Sequence, residues 1–508
     1  MVLALLVAGA ARGADPVDEL RERLDRLEAD NRQLRSSLER TLKQPGEIPV
    51  VPPAPAGTAG PLALDDEDLR QDHNISDLQG PVKGIMDRMN ARSFPNVQVH
   101  GVFQTDTGWF DQSASSIKSY RHIQNGSDFR RARLSANGNL TEITKYFFQM
   151  DFAFFGRPTF TDVWVEQNEV PLLGNVRIGQ WKQPFSLEVV SSFRYTTFVE
   201  RSTLFQAFTP FRHYATGFQN HSEDLQFQWA ASVMATGQDQ YGGSLANAGG
   251  WGTAERFTWV PIWDEASNGR EYLHLGLGHF FNAPPHRATY FRSIPELYIG
   301  QNAAGAVGTS GQAQPGPFNG TPFFVNTGNM GVSTYNVLGT ELLWVEGPFS
   351  LQSEAMVTFA NQVNDRIDTV NFGTGDSTVM FYGAYASVGY FLTGEHRPYD
   401  RATGQIDRIK PFHDFGPWKG DRGWGAWEVA GRWSLINLND DNIRGGQMTD
   451  YTAALNWYLN PNWKICLNYI HSRPNFSYLD GSPATNRPAD TFYGSTTNMF
   501  DIRVQMDF

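Results

Sequence analysis

From Val97 to Phe508 apolar and polar residues alternate with a period of two, as in Phe147 to Phe155 (FFQMDFAFF) and Leu225 to Val233 (LQFQWAASV). That period belongs to strands whose two faces meet different surroundings. It predicts strands at 97–110, 127–140, 143–155, 160–170, 174–184, 214–221, 225–237, 255–263, 271–282, 331–345, 349–361, 377–393, 426–438, 449–460, 463–473 and 498–508, with a weaker segment at 297–300. About sixteen strands is an even number, as in bacterial outer-membrane barrels. Connections alternate in length: 140–143, 170–174, 346–348 and 460–462 are tight, whereas 185–213, 238–254, 283–330, 362–376 and 474–497 are long. Short turns at one end and long loops at the other are a barrel signature. In the last strand Asp501, Arg503, Gln505 and Asp507 share one face and Ile502, Val504, Met506 and Phe508 the other. The expected fold is therefore all-β, a transmembrane antiparallel β-barrel with a polar lumen. Residues 394–425 are long where a short turn is due and carry Arg397, Arg401, Arg408, Lys410 and Lys419. They are expected to fold into the lumen.

Ahead of the barrel the period changes to 3.5. In 15–43 the seam positions are Leu20, Leu24, Leu27, Asn31, Leu34 and Leu38, which predicts a coiled-coil helix whose buried Asn31 fixes register. Arg23 with Glu28 and Asp30 with Arg35 match the opposite-charge pairs of parallel chains, so this segment is read as a homo-oligomerisation arm in the periplasm. Pro45, Pro49, Pro52, Pro53 and Pro55 then open a linker rich in proline, glycine and acidic residues. Val2 to Ala11 is apolar and small, like the core of a secretory signal without its basic start. The plan is thus a signal at 1–14, a coiled coil at 15–43, a linker at 44–95 and the barrel at 96–508.

Composition narrows the function. With 41 Lys+Arg against 53 Asp+Glu the formal charge is −12, which argues against nucleic acid as a partner. The chain is 13% aromatic with 49 Gly, yet its mean hydropathy is −0.41. No apolar run after the N-terminus reaches the ~18 residues that a membrane helix needs. The single Cys466 permits neither an internal disulfide nor a cysteine-rich metal site. P-loop, HExxH and GxSxG patterns are absent, and the scattered histidines make no metal cluster. The reading is a non-enzyme without cofactor or metal. Trp109, Phe110, Trp164, Trp344, Trp457, Tyr458 and Trp463 lie near predicted strand ends, where they suit interfacial girdles. Alternation sends Arg131, Arg133, Arg177, Arg432 and Arg503 toward the lumen, either to meet anions or to pair with carboxylates such as Glu166 and Glu428.

Several blocks, in order, resemble the phosphate-selective porin O and P family: Phe129 to Leu134 (FRRARL), Arg177 to Glu188 (RIGQWKQPFSLE), Phe198 to Arg201 (FVER), Gly347 to Glu354 (GPFSLQSE), Phe391 to Glu395 (FLTGE) with Lys410-Pro411, Gly425 to Arg432 (GAWEVAGR), Leu455 to Asn460 (LNWYLN) and Arg503 to Phe508. The resemblance implies a trimeric barrel in which loops and one long turn fold inward and arginines line an anion path. It implies that Arg130 and Arg131 are the paired arginines of the second strand, that Asp162 is a constriction acid, and that Ser191 and Ser192 lie in the constriction loop beside Arg194. Phe193 stands where the family has a lysine, and Val102 where it has an arginine. The implied anion path is Arg130, Arg131, Arg133, Arg177, Ser191, Ser192, Arg194, Lys410, Arg432 and Arg503. Implied partners are outer-membrane lipid, two further copies of the chain and, through the terminal Phe508, the barrel-assembly machinery. The expected function is passive diffusion of small hydrophilic solutes, anions such as phosphate foremost. Alternatives are a general or non-phosphate solute porin, and a tether between the outer membrane and peptidoglycan.

Overall fold

The computed structural model describes residues 94–153, 158–236, 249–299, 321–363, 377–416, 423–477 and 492–508. The signal, the coiled-coil seam and nearly all of the linker lie outside the described residues. Sixteen long strands follow in chain order: β1 Gln98–Gln112, β2 Gly126–Asn139, β3 Thr144–Asp151, β4 Thr159–Val170, β5 Gly174–Lys182, β6 Arg212–His221, β7 Phe227–Ala235, β8 Trp251–Trp263, β9 Glu271–Ala283, β10 Met330–Glu346, β11 Phe349–Gln362, β12 Thr378–Phe391, β13 Ala426–Asp440, β14 Ile443–Asn460, β15 Trp463–Ser477 and β16 Thr497–Asp507. Each pairs antiparallel with its neighbours, and β1 closes on β16 from Val102↔Asp507 to Gln112↔Thr497. The sheet is a closed barrel, which leaves no open edge in the bilayer.

Turn chemistry sets the short end. Asn460 accepts from the backbone of Asn462 and Trp463 at 2.8 and 3.0 Å, an Asx turn between β14 and β15. Gly347 adopts φ 54° between β10 and β11. A tight turn also joins β13 to β14 at the opposite end, where Asp441 has φ 47°; the alternation had suggested a longer gap there. The strands run on because Leu438, Ile443 and Met448 are buried inside. The segment 297–299 is not a strand. It lies inside the barrel, where Leu297 and Ile299 pack with Val199, Cys466, Ile470 and Met499.

The outer face is apolar: Phe129, Leu134, Ile178, Val233, Leu277, Phe500 and Phe508 are exposed there. The lumen is polar only in part, because the loops fill it. Phe185, Leu204 and Phe208 from 183–211, with Phe291 and Phe324 from 284–329, bury against Val337, Ala360, Val379, Phe381 and Ile436 of the barrel wall. Each such side chain is worth about 1.5–3 kcal/mol when removed from water, so the wall facing these loops is a hydrophobic core. The girdle expectation holds for Trp109, Trp344 and Trp463, each exposed. It fails for Trp164, Phe110 and Tyr458, which turn inward. Trp164 lies 4.0 Å beneath the Arg177 guanidinium, Phe110 packs on the loop core, and Tyr458 donates to Glu428 at 2.8 Å. Strand ends alone could not separate the inner from the outer face.

Candidate functional site

The paired arginines owe their direction to a β-bulge. Gln104 pairs with Arg131 and Thr105 with Phe129, so Arg130 is an extra residue in β2. A bulge re-aims side chains, and here Arg130 and Arg131 both reach inward while Phe129 stays outside. Arg130 donates to Glu200 at 2.7 and 3.0 Å. Arg131 donates to Gln104 at 2.7 Å, and Arg133 to Asp151 at 2.7 Å. The Phe193 ring lies under both of the latter guanidiniums, at 4.5 Å from Arg131 and 4.6 Å from Arg133, a cation–π arrangement.

Residues 183–211 cross the lumen as a clamped plug. The two short helices of the plug are α1 Leu187–Val190, capped by Ser186, and α2 Leu204–Phe208. Arg503 of β16 donates to Asp106 at 2.7 and 2.6 Å and to Glu200 at 2.8 Å, and also bonds the Val199 carbonyl. Burial would raise the Glu200 carboxyl, but Arg130, Arg131 and Arg503 outweigh it and hold the group well below the usual carboxylate range. Arg432 of β13 donates to Glu296 at 2.9 Å and to Glu188 at 3.3 Å, and so binds two inserted loops at once. Burial lifts the Glu188 carboxyl above its ordinary value despite Arg432 and Ser202. Ser191 accepts from the Ile406 amide at 3.1 Å. This bond ties the plug to the long turn after β12, whose residues 394–409 fold inward: Tyr272 donates to the Arg397 carbonyl at 3.0 Å, His274 and Tyr399 lie 2.6 Å apart, and Arg397 pairs with Glu428.

Two open spaces flank the plug. A recess of about 610 Å³ lies near the short-turn end, lined by His100, Lys145, Arg194, Tyr195, Arg408 and Phe508 among others. Arg194 and Arg408 share a single carboxylate, Asp507, with Arg194 at 3.5 Å and the Arg408 Nη1 at 3.1 Å. The second space, about 280 Å³, lies between the plug and residues 402–405. There Arg177 pairs with Glu166 at 2.6 Å, Arg212 with Asp162 at 2.7 Å, and Arg256 with Glu341 at 2.7 Å. The Lys182 ammonium donates hydrogen bonds to the carbonyls of Val189, Val190 and Ser191 at 2.7–3.1 Å.

The site residues expected from sequence thus divide. Arg130, Arg131, Arg133, Arg432 and Arg503 gather around the plug, Arg194 lines the recess, and Asp162 and Arg177 line the smaller cavity. Ser192 accepts from the Arg194 amide at 3.4 Å, and Lys410 is exposed on the inward turn. Phe508 is 62% exposed, and its ring lies against Gly101, where an added Cβ would meet it at 2.4 Å. Sequence reading missed the carboxylates that accompany these cations: Glu200, Glu296, Asp106 and Asp507. Alternation placed Asp507 inside, but nothing local tied it to Arg194 and Arg408.

The family profile for phosphate-selective porins O and P matches residues 97–508. The chain belongs to that family. Like others of the phosphate-selective porin O and P family it is an outer-membrane β-barrel for transport and not an enzyme. It is 22% identical over 363 residues to Porin O of Pseudomonas aeruginosa, covering 68% of this chain and 76% of that one. It is 24% identical over 426 residues to an uncharacterized protein of Caulobacter vibrioides, covering 82% of this chain and 74% of that one. Among solved structures, the trimer form of OmpT from Vibrio cholerae aligns at a TM-score of 0.44 and 9% identity, over 81% of this chain and 99% of that one.

Proposed function

We propose that the protein is a passive diffusion pore whose anion preference resides in the recess of Arg194 and Arg408. The observation that carries this is the uneven charge there: two guanidiniums share the one Asp507 carboxylate. An anion entering the recess exchanges part of its hydration for guanidinium donors, weakly enough to leave again. Phosphate is the substrate to test first, in keeping with the family. The short-turn end is assigned to the periplasm and the 15–43 arm with it; the heptad seam supports a parallel oligomer, and the family suggests three copies. Phe508 at the end of β16 is the mark for the assembly machinery.

A second reading, a porin for solutes other than phosphate, is favoured by the pairing of the remaining arginines. Arg130, Arg133, Arg177, Arg432 and Arg503 each hold a carboxylate within 2.5–2.7 Å, so they act as structural cations more than as a ladder for passing anions. The reversal potential of the purified protein in planar bilayers under a KCl gradient, followed by phosphate titration, separates the two. Anionic sign with phosphate block supports the first reading. Anion preference without phosphate block supports the second, and cation preference refutes the proposed role of the recess.

A further inference from the structure

The smaller cavity differs chemically from the cationic recess. Each charge on its walls is already matched: Arg177 by Glu166, Arg212 by Asp162, Arg256 by Glu341 and the Gly404 carbonyl, and Lys182 by three backbone carbonyls. A cation entering would lose hydration without meeting a free carboxylate, and an anion would find the three N–H groups of Lys182 already taken by carbonyls, so either loses hydration with little return. What the walls do offer is a mixture of donors and acceptors in which the one excess positive charge, on Lys182, is turned onto backbone carbonyls. Asn175, Gln219, Gln405 and Thr403 add amides and a hydroxyl, and Trp181 adds an apolar wall. Gly217 and Ala230 present little or no side chain on the barrel side and leave the space open. At about 30 Å³ per water the cavity, 280 Å³ in volume, holds on the order of nine waters, enough to exchange for one hexose.

We propose that this cavity is a subsite for a neutral polyhydroxylated solute of monosaccharide size. The solute's hydroxyls replace water on Gln219, Gln405 and the outer oxygens and nitrogens of the ion pairs, while its C–H face lies toward Trp181. The proposal rests on the pore reading for its physiological meaning but not for its test. Sugar-dependent conductance is to be measured in planar bilayers in KCl, with D-glucose added to either side and the loss of bulk solution conductivity subtracted. Glucose is expected to lower the single-channel conductance beyond the bulk effect, and the Gln219→Ala, Gln405→Ala double variant is expected to weaken that effect severalfold. Intrinsic tryptophan fluorescence of the detergent-solubilised protein gives a readout that needs no current: glucose shifts it, and Trp181→Phe removes the shift. Absence of any current would sink the pore reading while leaving the fluorescence test decisive. Conductance that follows bulk conductivity alone, together with fluorescence indifferent to glucose, overturns the subsite. So does a glucose effect that both variants leave intact, or sodium phosphate displacing glucose at equal concentration.

Discussion

Replacing Asp507 with asparagine tests the recess most directly. The carboxylate lies between Arg194 and Arg408 and is 2% exposed. The substitution keeps the shape and removes one negative charge, taking this trio from a net +1 to +2. At about 5 Å in water a unit charge is worth ~0.8 kcal/mol, and screening at 0.1 M salt, with a Debye length of about 10 Å, leaves roughly 0.5 kcal/mol. That is on the order of a twofold gain in anion occupancy and a twofold loss for cations. The anion-to-cation permeability ratio should therefore rise roughly fourfold, as read from reversal potentials under a KCl gradient. The strand itself stays tied, because the backbone of Asp507 bonds Asn462 through its amide at 2.9 Å and its carbonyl at 2.8 Å. Far-UV circular dichroism checks folding, and Arg408→Gln should move the ratio the other way. A ratio unchanged in both variants, or moved toward cations by Asp507→Asn, would refute the assignment.

Three further predictions follow from the plug. Phe193→Ala uncovers Arg131 and Arg133, removing two contacts worth about 0.5–2 kcal/mol each; single-channel conductance and anion preference should both rise, and no change in either would mean that the ring does not shield the pair. Arg503→Met strands the buried carboxylate Asp106 and takes one of three cations from Glu200, at a cost of about 3–5 kcal/mol; urea unfolding in detergent should show the loss, and Asp106→Asn added to it should restore part. Because Glu200 is held below its ordinary range when folded, its stabilisation is present above an unfolded value of about 4.3 and is lost as pH falls toward the folded value. The thermal midpoint of the wild type should fall more steeply than that of Glu200→Gln below about pH 4.3, and parallel curves would contradict this.

The Arg130–Arg131 pair shows where sequence reading stops. Strict alternation sends one of two adjacent residues outward, yet the register shift between Gln104 and Thr105 brings both inside. Ser191 was legible as part of the inserted loop, but its acceptance of the Ile406 amide joins two segments 215 residues apart. The polar lumen expected from the pattern became partly apolar because Phe185, Phe208 and Phe291 fold back onto it.

Sixteen strands, the inward and outward faces of most of them, and the unequal ends of the barrel were fixed by local sequence, since a period of two follows from the pleat of each strand wherever it lies. The alternation also carried the membrane assignment, because a charged face opposite an apolar one suits a wet lumen in lipid. Tertiary structure alone decided which carboxylate meets which guanidinium. Arg503 and Asp106 are 397 residues apart and meet only because the barrel closes. Glu296 reaches Arg432 from 136 residues away only because its loop is inserted. Charge pairing depends on distance in space, which strand stagger and loop insertion set, and no local period encodes it.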